Sequence, residues 1–189
     1  MLNPSFSALK KKLSAREPRR VEGGGIMETS VALILTPGQL GLEALFIRRA
    51  ERADDPWSGH IALPGGRRDP GDADRLATAV RETREEVGVA LPESTLLGAL
   101  DDLSPSTPRL PPLVIRPYVF GFETRPAARL SDEVAGVMWL PTSELASSEG
   151  KAVVAIRGRA TEVACYSCGG AVIWGLTYRI VSGFLKLSA

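Results

Sequence analysis

Glu82, Glu85 and Glu86 stand at i, i+3 and i+4. At about 100° per residue, a helix projects all three carboxylates from one arc. Like charges this close repel by a few tenths of a kcal/mol per pair. A divalent cation among them removes that repulsion, and hard oxygen donors of this kind suit Mg²⁺ or Mn²⁺, which keep coordination places for water and phosphates. Arg81 precedes Glu85 by four residues and can pair with it. Taken alone, the triplet also fits a solvated acidic helix face. The context points elsewhere: a Pro64-Gly65-Gly66 loop runs toward the same helix, and backbone without Cβ atoms can approach a ligand closely. A metal clamp beside a backbone cradle is what phosphoryl chemistry requires.

Other chemistries fail on residues. Gly66-x4-Gly71 is followed by Asp72 rather than Lys-Ser/Thr, so it is no Walker A loop, and no G-x-G-x-x-G occurs. His60 is the only histidine, which excludes a dyad or triad built on two. Cys165 and Cys168 form a lone C-x-x-C that cannot close a structural zinc site with one histidine. The two thiols read as unpaired in a reducing compartment.

Gly66, Asp72 and the run Arg81-Glu82-x-x-Glu85-Glu86-x-Gly88 closely resemble the Nudix box of Nudix hydrolases. Asp72 stands where that box usually has Glu, and eight residues rather than seven separate it from Arg81. Both departures resemble the coenzyme A diphosphatase subgroup, through Pro64, Gly65, Gly66, Asp69, Pro70, Asp72, Thr78, Ala79, Arg81 and Glu82. Gly59 and Leu63-Pro64-Gly65-Gly66 are similar to the end of that subgroup's upstream pattern, Arg-x3-Gly-x3-Phe-Pro-Gly-Gly. Its arginine is displaced: Arg52 lies seven residues before Gly59, as if Asp54-Asp55-Pro56-Trp57 were inserted. Ile173-Trp174-Gly175-Leu176-Thr177 resembles the subgroup's I-W-G-x-T.

The resemblance implies a Nudix-fold α/β/α sandwich with a mixed central sheet and the Nudix loop–helix motif. It implies Glu82, Glu85 and Glu86 as ligands of Mg²⁺ or Mn²⁺, with Arg81, Glu82 and Glu85 as the catalytic set and Arg81 orienting its neighbours. The proton acceptor stays open between a glutamate of the box and Glu133. Gly65, Gly66, Arg48, Arg52 and His60 are the substrate-binding candidates. Arg49 shares the strand end with Arg48, and Trp57 reads as a packed loop aromatic. The implied reaction is hydrolysis of the diphosphate of CoA or acyl-CoA to 3′,5′-ADP and (acyl-)4′-phosphopantetheine. ADP-ribose, a dinucleoside polyphosphate or an oxidised dNTP is the alternative substrate, and a non-catalytic binding module the alternative class.

These residues need a scaffold. The 189 residues suit one ordinary domain, and 44% hydrophobic with 24% charged residues reads as globular. Basic and acidic residues nearly cancel at 23 against 22, which argues against a dedicated nucleic-acid partner. No apolar run approaches the ~20 residues of a membrane span, and no signal peptide is read. The expected partner is a small nucleotide, with no nucleic acid, no membrane and room for a homodimer. The expected compartment is cytoplasmic.

Residues 1–25 read as a basic N-terminal segment, a short helix plus linker, with Phe6, Leu9 and Leu13 on one stripe. Residues 26–189 read as the Nudix hydrolase domain. Strands are expected at 30–36 and 42–48 around a Pro37-Gly38 turn, at 96–100, at 113–122 and at 134–140, with a hairpin over 152–164. Residues 104–112 read as a Pro-rich loop. Helices are expected at 73–87, capped by Asp72 and ended by Gly88, and from Pro141. A last helix is expected over 173–187, with Ile173, Leu176, Ile180, Phe184 and Leu187 on one stripe. Leu76, Val80, Thr83 and Val87 mark the core face of the 73–87 helix.

Overall fold

The computed structural model describes residues 3–23, 25–52, 57–105, 112–156 and 158–188. Most of the insertion expected before Gly59, and residues 106–111 of the Pro-rich loop, lie outside them. Alternation along two long strands organises the centre. In β1 (Met27–Gly38) and β2 (Gly41–Arg49), Ala32, Ile34, Leu45 and Ile47 face one way, while Leu33, Leu35, Ala44 and Phe46 face the other. Both faces are apolar because helices cover both. Helix α2 (Arg75–Val87) covers the first face and brings Val87 against Ile34 and its neighbours. The second face is covered by α1 (Pro4–Ser14), α3 (Thr142–Ser147) and α4 (Gly175–Ser188), through Phe6, Leu145, Ile180 and Phe184. The result is the expected α/β/α sandwich.

The sheet between the layers is mixed. β1 pairs in parallel with β6 (Leu113–Gly121) from Met27↔Leu113 to Leu35↔Gly121. Its other edge is shared by two strands, end to end. β2 pairs antiparallel with the second half of β1, and β4 (Gly65–Arg67) with the first half, at Thr29↔Arg67, Ser30↔Gly66 and Val31↔Gly65. Between them, β3 (Ile61–Ala62) pairs with the end of β2 at Arg48↔Ile61. β5 (Leu96–Ala99) extends the sheet beyond β6, and β7 (Val134–Pro141) lies along the outer edge of β2. A separate three-stranded antiparallel sheet comprises β8 (Glu149–Ile156), β9 (Arg159–Cys168) and β10 (Ala171–Trp174).

Three local expectations are corrected. The first hairpin turns at Gln39-Leu40, two residues after the expected place, and Pro37 and Gly38 end β1. The last helix begins at Gly175, so Ile173 and Trp174 belong to β10. Gly175 has φ 66°, a backbone conformation that breaks the strand and suits glycine. Trp57 is 48% exposed rather than packed. Cys165 and Cys168 are buried and unpaired, as the composition suggested. No helix among the described residues is long and apolar enough to cross a membrane.

Helix α1 earns its place in the core. Asn3 Oδ1 accepts the Ser5 N–H and Pro4 opens the first turn, a favourable start for a short helix. Phe6 is fully buried, and its ring sits where a Cβ on Gly121 would approach to 3.1 Å. Phe6→Ala is therefore expected to cost about 3–5 kcal/mol, read as a lowered midpoint in urea unfolding with the denaturant slope unchanged.

Candidate active site

Helix α2 starts two residues later than Asp72 would set it. Its N-cap is Asp74, whose side chain accepts the Ala77 N–H at 2.8 Å, and Gly88 ends it in the left-handed conformation. Asp72 is freed for other work. It is 8% exposed and accepts the Asp69 N–H and the Thr78 hydroxyl, each at 2.9 Å. It also receives Arg81 in a two-pronged pair, Nε to Oδ1 and Nη2 to Oδ2, both at 2.9 Å. Those Arg81 bonds hold the Asp72 carboxyl well below the usual carboxylate range, against the opposing effect of burial.

The other nitrogens of Arg81 bind the rest of the motif. Nη1 donates to Glu82 Oε1 at 2.9 Å and to Glu85 Oε2 at 3.0 Å, and Nη2 also reaches the Arg67 carbonyl at 3.0 Å. One guanidinium thus ties the preceding loop, the end of β4 and two of the three glutamates.

The glutamate arc is graded in depth. Glu85 lies at the rim with its side chain 59% exposed, Glu82 is 19% exposed, and Glu86 is buried at 5%. The expected core stripe is therefore shifted. Thr83 and Val87 are buried, Leu76 and Val80 only partly, and Glu86 itself turns into the interior. Glu86 Oε2 accepts the Gly65 N–H at 2.8 Å. Burial nonetheless pushes the Glu86 carboxyl up to about 7, against that N–H and the charge of Arg49. Glu82 is raised as well, by burial, with the Arg81 bonds opposing.

Both loop glycines lie close against their neighbours, and Gly65 is required there by backbone contact. Gly65 has φ 145°, and a Cβ there would stand 2.2 Å from the Ser30 carbonyl oxygen and 2.5 Å from Val31 Cα. A Cβ on Gly66 would stand 2.5 Å from the Glu82 carboxyl carbon. The Glu82 carboxylate thus lies directly against the Gly66 backbone. Gly65→Ala is expected to prise β4 from β1 and to lose the Gly65–Glu86 bond. A cost on the order of 1–3 kcal/mol and loss of any activity that depends on the loop should both follow, read by thermal unfolding and assay.

The donor set fits a hard divalent cation. Two of the carboxylates are raised by burial, beside a bare glycine backbone, and buried carboxylates lacking a full counter-charge call for a cation. As arranged here, no three acidic, histidine or cysteine side chains among the described residues are gathered closely enough to hold an ion. Arg81 Nη1 sits between Glu82 and Glu85 instead.

The substrate-binding candidates divide. Gly65 and Gly66 adjoin the glutamates. Arg48 lies on the face of β2 that carries Ala44 and Phe46, and with His60 and Trp174 it lines a groove of about 400 Å³ that includes none of the glutamates. The His60 and Trp174 rings meet edge to face with centroids 4.8 Å apart. Arg52 is drawn to Glu133 at 3.4 Å and Asp132 at 3.6 Å.

Arg49, two residues beyond Ile47, is the arginine whose charge reaches Glu86. Its period-2 register with Leu45 and Ile47 was the available signal. The charge of Glu133 also acts on Glu86. Beside Glu82, a second groove of about 680 Å³ opens between Arg67, Arg68, Pro70, Arg81, Ile26 and Met27.

The NUDIX domain family model matches residues 27–159. The human mitochondrial coenzyme A diphosphatase is 32% identical over 150 residues, which cover 77% of this chain and 62% of that protein. The Nudix hydrolase NudL of Photorhabdus laumondii is 35% identical over 128 residues, 66% of each chain. This chain thus spans just under two thirds of the length of either relative. The crystal structure of a MutT/nudix family protein from Enterococcus faecalis superposes with a TM-score of 0.59 at 19% identity, over 96% of this chain and 67% of that one. That likeness speaks to the fold.

Proposed function

The chain belongs to the Nudix family, and from that premise we propose that it is a diphosphatase dependent on Mg²⁺ or Mn²⁺. Its substrate in this reading is CoA or an acyl-CoA, cleaved to 3′,5′-ADP and (acyl-)4′-phosphopantetheine. The carrying observation is the contact of Glu86 and Glu82 with the Gly65-Gly66 backbone, with Glu82 and Glu85 both held by one guanidinium, Arg81. The CoA assignment is supported by Asp69-Pro70 and Asp72 in the loop, by Ile173-Trp174-Gly175-Leu176-Thr177, and by the similarity to a coenzyme A diphosphatase.

In this reading Glu82, Glu85 and Glu86 hold the metal. The bound cation supplies neutralisation of the bridging diphosphate and acidification of a water. The chain's own groups do the rest. Glu86 holds the loop through the Gly65 N–H, and Gly66 admits the Glu82 carboxylate against bare backbone. Asp72 fixes the guanidinium that positions Glu82 and Glu85. Overall, a water oxygen bonds to phosphorus, the bond from that phosphorus to the bridging oxygen breaks, and the water proton passes to a carboxylate. Glu85 at the rim is the first candidate for that proton, and Glu133 the second.

A second substrate class follows from one observation. Arg52, the arginine displaced from the CoA pattern, is engaged by Asp132 and Glu133. ADP-ribose, a dinucleoside polyphosphate or an oxidised dNTP is the alternative. Product analysis by mass spectrometry with CoA, acetyl-CoA, ADP-ribose, a dinucleoside polyphosphate and 8-oxo-dGTP, each with Mg²⁺ or Mn²⁺, separates these. Release of 3′,5′-ADP from CoA or acetyl-CoA supports the proposal. Turnover of another member alone removes CoA, and silence across the panel favours a binding module.

A further inference from the structure

The groove beside Glu82 contains one cation with no assigned work. Glu28, on its wall, is engaged by Arg68 at 2.7 Å and by both Nε and Nη2 of Arg75. Asp69 Oδ1 accepts the Gly71 N–H at 2.8 Å, and Arg81 is spent on Asp72, Glu82, Glu85 and the Arg67 carbonyl.

The side chain of Arg67 is exposed in this groove and has no ion pair or hydrogen bond among the described residues. Its backbone is nevertheless fixed twice, by pairing with Thr29 across β1 and β4 and by the Arg81 bond to its carbonyl. Next to it lies apolar surface from Ile26, Met27 and Pro70. An uncompensated guanidinium rising from a paired strand beside an apolar patch suits a group that is part flat and apolar and part phosphate.

We infer that this groove receives the nucleoside half of the substrate, and that Arg67 binds a phosphate monoester carried on that half, apart from the scissile diphosphate. The inference rests on the diphosphatase reading and deepens it. The groove shares Arg81 and Glu82 with the reacting centre, so a moiety attached to the diphosphate enters it directly. The Arg48–His60 groove includes neither. Arg48, a substrate-binding candidate from the sequence, lines that other groove.

CoA and dephospho-CoA differ by the monoester alone and serve as probes on the full chain. The wild-type protein should favour CoA in kcat/KM. Arg67→Glu should reduce that preference by about tenfold or more, the size expected for a charge-assisted bond to phosphate, with the change in KM. Arg67→Lys should retain part of it. In calorimetric titration without turnover, the advantage of adenosine 3′,5′-bisphosphate over AMP should shrink in Arg67→Glu to a similar degree.

Equal losses on both substrates would overturn the assignment. So would a preference lost in Arg48→Glu instead, or a wild-type protein that cleaves both probes equally well. Those results leave the diphosphatase reading standing. A wild-type protein that cleaves neither probe, nor anything else in the panel above, overturns both.

Discussion

Glu86→Gln is expected to lower kcat/KM by about a thousandfold or more while leaving the melting temperature at or above that of the parent. The catalytic loss follows from the several kcal/mol that a metal clamp supplies to a phosphoryl transition state, at about 1.4 kcal/mol per factor of ten. The stability result follows from burial. Glu86 is 5% exposed and its carboxyl is pushed up to about 7, so keeping it ionised at neutral pH strains the metal-free fold. Glutamine has nearly the same shape and still offers an oxygen to the Gly65 N–H. A purely structural Glu86 gives a different pair of results, lower stability with modest loss of rate. Steady-state kinetics and calorimetric melting on one preparation separate the two. Isothermal titration with Mn²⁺ should show weakened binding in the same variant.

The second large effect lies away from the glutamates. Asp102 has a fully buried side chain and collects three arginines from three parts of the chain. Arg116 of β6 donates Nε and Nη2, each at 2.8 Å. Arg20 of the N-terminal segment donates at 3.0 Å and Arg75 of α2 at 3.2 Å, and the Val21 N–H adds a fourth partner at 3.0 Å.

Asp102→Asn removes the one charge these guanidiniums share, and breaking a buried pair from one side costs about 3–5 kcal/mol. Burial pushes the Asp102 carboxyl upward, but the Arg116 bonds, the Val21 N–H and the nearby charges of Arg116 and Arg20 outweigh it and leave it below its ordinary value. A depressed carboxylate contributes stability above its unfolded value near 3.9, and that contribution is lost as pH falls through the folded value. The gap in unfolding free energy between wild type and Asp102→Asn should therefore be full at pH 7 and close progressively below about pH 4. Urea unfolding at pH 7, 5 and 3 reads it directly. A gap that does not narrow would mean that the charge of Asp102 is not what the arginines require.

Much of this architecture is written locally. The periodicity of 73–87 and the run of Glu82, Glu85 and Glu86 identify the helix that bears the acids. The apolar runs at 30–36, 42–48 and 113–122 identify the strands that form the middle of the sheet. What local pattern missed was decided at a distance. The sequence reading puts the cap at Asp72, and Asp74 has the same side chain. Asp72 is claimed by an arginine nine residues along the chain, which leaves the cap to Asp74. Ile173 fits the stripe of the last helix, but pairing with Tyr166 draws it into β10. Arg48 and Arg49 are adjacent and identical in type, and only the alternation of β2 sends one toward α2 and the other toward Trp174. The network around Asp102 joins residues up to 96 positions apart, from Arg20 to Arg116, and no spacing rule reaches that far.

Arg81 gives its site a built-in counterion. The nitrogens that grip Asp72 and the Arg67 carbonyl are Nε and Nη2, whereas Nη1 alone serves Glu82 and Glu85. To release both carboxylates to a cation, Arg81 gives up only the bonds at Nη1 and keeps its anchorage in Asp72. If a cation took those two carboxylates, as the proposed function requires, one positive partner would replace another and the two glutamates would stay screened from each other throughout.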